Sequence, residues 1–129
     1  MNWSISTRAL FLLIGVTALS ACQDTQEIDR REYLLGRWEI QEARRNGQAT
    51  ESLEELYFEF FQDGKMTTNL LGVPETASYD LEENELRQRD SQMDIDYQIE
   101  ELTDSLLVLT TNLRDYDFRF RLHKRIQEE

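Results

Sequence analysis

The strongest constraint in this chain is a period of two. In MDIDYQIE, residues 93–100, Met93, Ile95, Tyr97 and Ile99 fall on one side and Asp94, Asp96, Gln98 and Glu100 on the other. YDFRFRL does the same, with Tyr116, Phe118, Phe120 and Leu122 opposite Asp117, Arg119 and Arg121. Successive side chains of a β-strand point to opposite faces, so strict alternation predicts strands that are apolar on one face and solvated on the other. A helix built from either segment would scatter its apolar residues around the axis and bury no continuous stripe.

The same period recurs through the chain. GRWEIQEAR sets Trp38 and Ile40 on one face, LYFEFF sets Leu56, Phe58 and Phe60, and KMTTNL sets Met66, Thr68 and Leu70. ASYDL, ELRQR and LLVLTT supply three more strands. In LLVL the phase is ambiguous by one residue: either Leu107 and Leu109 or Leu106 and Val108 face inward. The links are short and carry turn chemistry: Asn46-Gly47, Asp63-Gly64, EEN at 82–84 and LTDS at 102–105. The longest, at 46–55 and 71–77, are the candidate surfaces for a protein partner. No link has room for a crossover helix, so neighbouring strands run antiparallel. Eight strands, each apolar on one face, predict an all-β, eight-stranded antiparallel up-and-down barrel; the alternative is a two-sheet β-sandwich.

A short helix precedes the strands in IDRREYLLG. Asp29 is the N-cap, Glu32 completes a capping box, Ile28 staples onto Tyr33, and Gly36 ends the helix.

Before residue 22 the pattern is different. Arg8 is the only charge among residues 1–21, and ALFLLIGVTA, residues 9–18, is a short apolar run followed by small residues. That order is the layout of a secretory signal peptide, and the run is too short for a transmembrane helix, which needs about 20 apolar residues. Leu19-Ser20-Ala21-Cys22 resembles the bacterial lipobox, and Cys22 is the only cysteine. The resemblance implies cleavage before Cys22 and acylation of its sulfur and amine, by groups such as palmitate. More than one chain is needed for a firm anchor, at about 0.8 kcal/mol per buried CH₂. Gln23 stands where an aspartate would resemble an inner-membrane retention signal, which favours the outer membrane, on its periplasmic or surface-exposed side; QDTQE resembles surface-export signals of some Bacteroidetes lipoproteins. The expected divisions are therefore a signal peptide at 1–21, a lipidated tether at 22–28, a barrel domain at 29–125 and a tail at 126–129.

Composition narrows the partners. The chain has 26 acidic and 14 basic residues, a net charge of −12. Such acidity excludes nucleic acid, which needs a basic face, and leaves the lipid rather than the protein surface to hold the membrane. The expected partners are the bilayer through acylated Cys22, a small hydrophobic ligand and an envelope protein, with the chain itself a monomer.

Gly36-Arg37-Trp38, behind a short helix and opening the first strand, is similar to the G-x-W motif of lipocalins. The layout LLGRWEI, NG, LYFEFFQDGKM, SYDLEENEL, YQIEELTDSLLVL and a closing aromatic strand resembles the small lipocalin-like domains of bacterial lipoproteins over residues 34–124. The resemblance implies a barrel whose tryptophan packs at the closed end beneath the N-terminal helix, with a basic residue of the last strand across its ring. Arg119 and Arg121 point outward by alternation, so Lys124 takes that part.

Little in the sequence points to catalysis. His123 is the only histidine, no G-x-S-x-G elbow is present, and Asp90, Asp94 and Asp96 lack the spacing of a calcium loop. No enzyme activity, cofactor or metal is expected. The candidate site is the barrel interior, with Trp38, Phe58, Phe60, Tyr79, Tyr97, Tyr116, Phe118 and Phe120 as ligand-lining residues. An eight-stranded barrel of this size is either filled by its own side chains or holds one small ligand.

Overall fold

The computed structural model describes residues 30–126. Cys22, and Ile28 and Asp29 for which capping roles are expected from the sequence, lie outside them. Residues 30–34 are α-helical, and the strands follow as β1 (Gly36–Arg45), β2 (Gln48–Ala49), β3 (Tyr57–Phe60), β4 (Lys65–Thr68), β5 (Glu75–Glu82), β6 (Glu85–Arg89), β7 (Ile95–Leu102), β8 (Leu106–Leu113) and β9 (Tyr116–Lys124).

From β3 onward each strand pairs antiparallel with the next in sequence, β1 pairs with β3, and β1 also pairs with β9. That last pairing closes the sheet, so the eight long strands form an up-and-down barrel rather than a sandwich. The two-residue β2 only extends the β1 hairpin beyond the barrel wall. Closure removes the free strand edges that an open sheet would expose.

The turns follow from their residues. Asn46 and Gly47 adopt φ of 52° and 81°, the left-handed pair of a two-residue hairpin. Arg114 and Asp115 do the same at 53° and 71° without a glycine, which strains the β8–β9 turn.

Alternation needs two corrections. Uninterrupted, it would turn Glu42 inward and Ala43 outward. A register shift between Ile40 and Glu42 pairs Ala43 with Phe120 and buries it. A second shift lies between Ile99 and Glu101. Such bulges bend a strand and let a sheet close. The ambiguous β8 is settled by register: Leu107 opposes Leu122 and Leu109 opposes Phe120, both pairs buried in the interior. Val108, between Glu101 and Arg121, is covered as well but outside the interior cluster.

Strand limits also differ from expectation. β7 begins at Ile95, so Met93 and Asp94 precede it. β5 begins at Glu75 rather than Ala77, so the link that carries Pro74 ends there and is shorter than the expected loop 71–77.

Candidate functional site

The barrel has two unlike ends, and the sequence explains both. At one end, Gly36 takes φ of 115°, a conformation other residues rarely adopt, and turns the helix directly into β1. This swings Leu34 and Trp38 inward, and both are fully buried. Trp38 Nε1 donates to the Leu34 carbonyl oxygen at 2.8 Å. Lys124, opposite Trp38 in the β1–β9 register, lays its ammonium 4.9 Å from the centre of the indole and donates to the Tyr33 carbonyl oxygen at 2.7 Å. The last carbonyls of a helix have no partner within the helix, so these two donors hold the helix across the barrel end. Burial draws the Lys124 ammonium below its ordinary value, with Asp104 opposing.

Above this plug the expected aromatic residues meet. Phe58 lies 6.2 Å from Phe60, 5.6 Å edge-on from Tyr97 and 6.2 Å from Phe120. Phe60 continues to Tyr79 at 5.1 Å, and Phe120 continues to Phe118 at 5.7 Å. Trp38, Phe58, Phe60, Tyr97 and Phe120 are fully buried, and Met66, Leu86, Leu107, Leu109 and Leu122 fill the space among them. Each such side chain contributes roughly 1.5–3 kcal/mol on burial. This part of the interior is packed by the protein itself.

Tyr79 and Phe118 are only partly buried. The Tyr79 hydroxyl donates to the Phe61 carbonyl oxygen at 2.9 Å and is pushed above its usual value by burial, with Arg31 opposing and Asp63 adding. Tyr116 does not line the interior. It holds the inward phase, but β9 starts there, at the rim, and the residue is 46% exposed, with the Arg45 guanidinium 5.3 Å from its ring centre.

Toward the other end, where β8 leads into β9 at residues 114–115, the inward side chains become small or polar: Ala43, Thr68, Ala77, Gln88 and Thr111 are all buried. Tyr97 Oη donates to Gln88 Oε1 at 2.7 Å, Gln88 Nε2 to Ser91 Oγ at 3.3 Å, and Ser91 Oγ to the Met93 carbonyl oxygen at 3.2 Å. The Thr68 hydroxyl donates to the Tyr57 carbonyl oxygen, and that of Thr111 to the Asp96 carbonyl oxygen. Glu75 shares the inward phase with Ala77, opposes Thr68 in the β4–β5 register, and places Oε1 out of solvent with no hydrogen-bond partner. Burial pushes the Tyr97 hydroxyl far above its ordinary value, and the Glu75 charge adds to the shift. Sequence reasoning missed Glu75 because Pro74 marked its neighbourhood as loop. The available signal was the phase of Tyr79 and Leu81, which runs back through Ala77 to Glu75.

The outer surface carries concavities of another kind. An open groove of about 430 Å³ crosses β7, β8, β9 and β1 between Arg44, Asp96, Gln98, Thr110 and Arg119, with Phe118 at one edge. His123 is exposed on β9, paired with Glu39 in register. Asp96 lies 2.9 Å from Arg89, and Asp94 3.8 Å. Among the described residues no group of three or more His, Cys, Asp and Glu is placed to hold a metal ion.

The chain shares its architecture with a lipocalin-like protein from Bacteroides uniformis, at a TM-score of 0.53 and 16% sequence identity, over 72% of this chain and 99% of that one. The fold is lipocalin-like. At this identity the likeness is one of fold. No protein-family model and no curated protein sequence matches the chain.

Proposed function

We propose that this chain is a lipid-anchored envelope protein whose lipocalin-like barrel binds a small hydrophobic molecule at the end opposite the helix. The asymmetry of the barrel carries the reading. One end is sealed by Leu34, Trp38 and Lys124, while the other keeps partly buried Phe118 and Met93 and exposed Val73 and Tyr116 around small and polar inward residues. Binding sites combine apolar walls with a few placed polar groups, and the mouths of β-barrels are frequent locations for them. The reading is of a binder, not an enzyme.

The anchor rests on the LSAC sequence alone. Cys22 is acylated in this reading, the monomeric barrel stands on the outer membrane, and the helix end of the barrel lies next to the tether. Replacing Cys22→Ser is expected to abolish incorporation of radiolabelled palmitate and release the chain from membranes; labelling that survives the change removes the anchor from the account.

Binding is tested by titrating Nile red into the protein. Saturable fluorescence that Phe118→Trp weakens several-fold, by narrowing the mouth, supports the reading; fluorescence indifferent to that change contradicts it. A second reading, a packed barrel that contacts another envelope protein through residues 46–55 and the link at 69–74, is favoured by the complete burial of Phe58, Phe60, Tyr97 and Phe120. It predicts crosslinks in cells that disappear when those loops are replaced.

A further inference from the structure

Hydrogen-bonding capacity at the barrel end opposite the helix does not balance. The buried hydroxyls are already committed: Tyr97 donates to Gln88, Thr68 to the Tyr57 carbonyl and Thr111 to the Asp96 carbonyl, while one N–H of the Gln88 amide goes to Ser91. One acceptor is left with no donor at all. Glu75 Oε1 is out of solvent without a donor, and no ion pair among the described residues includes Glu75. The arginines of the adjoining strand β6 are engaged elsewhere: Arg89 holds Asp94 and Asp96, and Arg87 holds Glu82 and Glu85.

Native proteins satisfy nearly all buried polar atoms, so one oxygen of a half-buried carboxylate held out of solvent without a donor is an exception that carries a cost. A threonine, alanine or glutamine would fit this half-buried strand position without that cost. A carboxylate retained at the mouth of a barrel is accounted for when its partner arrives from outside.

We propose that the open end of the barrel takes an amphiphile with a protonated nitrogen, an alkyl- or arylammonium, whose N–H groups donate to Glu75 Oε1. This rests on the reading of the barrel as a binder and specifies the chemistry of its ligand. Donor and charge complementarity point the same way. The site offers an acceptor and negative charge, so an ammonium is matched, a neutral alcohol is matched in hydrogen bonding alone, and a carboxylate is repelled. Phe118 and Met93, partly buried at the same end, are the apolar surface for the ligand's body.

Three probes of equal chain length separate the outcomes: octylammonium, octanol and octanoate, each titrated calorimetrically into the full chain in lipid nanodiscs, with empty nanodiscs as the blank. The expected result is octylammonium at least tenfold tighter than octanoate, with octanol between them. Glu75→Gln, which keeps the shape and removes the charge, is expected to cut octylammonium affinity about tenfold, leave octanol nearly unchanged and raise the thermal midpoint of the free protein. Equal affinity for the three probes, or a preference for octanoate, overturns the ammonium assignment while the barrel stands as a binder. Binding of none of them overturns both. The probe order in the unaltered protein is decisive even if the variant fails to fold.

Discussion

Replacing Lys124→Met removes the ammonium while keeping an unbranched stem over Trp38. Two interactions go. The hydrogen bond to the Tyr33 carbonyl oxygen, 2.7 Å long, is of a charged type worth about 1.5–3 kcal/mol when shielded. Lys124 is only partly buried, so solvent screening brings this to about 1 kcal/mol. The ammonium over the indole, 4.9 Å from its centre, adds about 0.5–1 kcal/mol. Relief of desolvation gives a little back, for a net loss of about 1.5 kcal/mol. In a domain of this size that lowers the melting temperature by roughly 6–12 °C. Urea unfolding followed by Trp38 fluorescence measures it, since the only other tryptophan, Trp3, precedes the proposed cleavage site. A cycle with Trp38→Phe, followed by circular dichroism because that change removes the fluorophore, isolates the ring contribution as a coupling near 0.5 kcal/mol. A loss below about 0.3 kcal/mol by the same additivity standard, or zero coupling, would refute the claim that Lys124 fastens the helix to the barrel end.

Other outcomes follow from the same geometry. Phe58→Ala opens a void among Phe60, Tyr97 and Phe120 and is expected to cost about 3–5 kcal/mol, measured by chemical denaturation. Tyr97 is neutral in both folded and unfolded chains below pH 10; above it the unfolded chain ionises first, so stability falls by about 1.4 kcal/mol per pH unit, and Tyr97→Phe should flatten that slope. At lower pH the same variant loses about 1–3 kcal/mol because Gln88 Oε1 is left without its donor. Changing Arg114-Asp115 to Asn-Gly copies the hairpin at Asn46-Gly47, suits the left-handed backbone there and is expected to raise stability by about 1 kcal/mol, seen as a higher melting temperature.

The strands were legible because each has one wet face. Where a barrel strand alternates without interruption, as in Tyr116–Leu122, residue order alone assigns the inside. Lys124 was legible for the same reason, since phase separates it from Arg119 and Arg121. Bulges were not legible, because the energy that shifts Ala43 inward comes from pairing with β9, nearly eighty positions away in the chain, and leaves no local trace. Tyr116 shows the complementary limit: alternation fixes a direction but not the height of a residue along the barrel wall. Glu75 was hidden by Pro74, a residue that reads as loop yet here sits just before a strand, where its missing N–H costs no ladder bond. The candidate site was thus half readable. Its aromatic floor follows from period two, whereas the buried polar pair Gln88 and Tyr97 depends on cross-strand neighbours that only the closed sheet brings together.

Whether the barrel end opposite the helix receives a small amphiphile is tested directly by native mass spectrometry of the full chain, purified from its own membranes and released from nanodiscs in the spectrometer. The expected result is a protein peak accompanied by one additional small-molecule mass, displaced by octylammonium and diminished in Glu75→Gln. Bare protein alone, even after octylammonium is offered in excess, would contradict it.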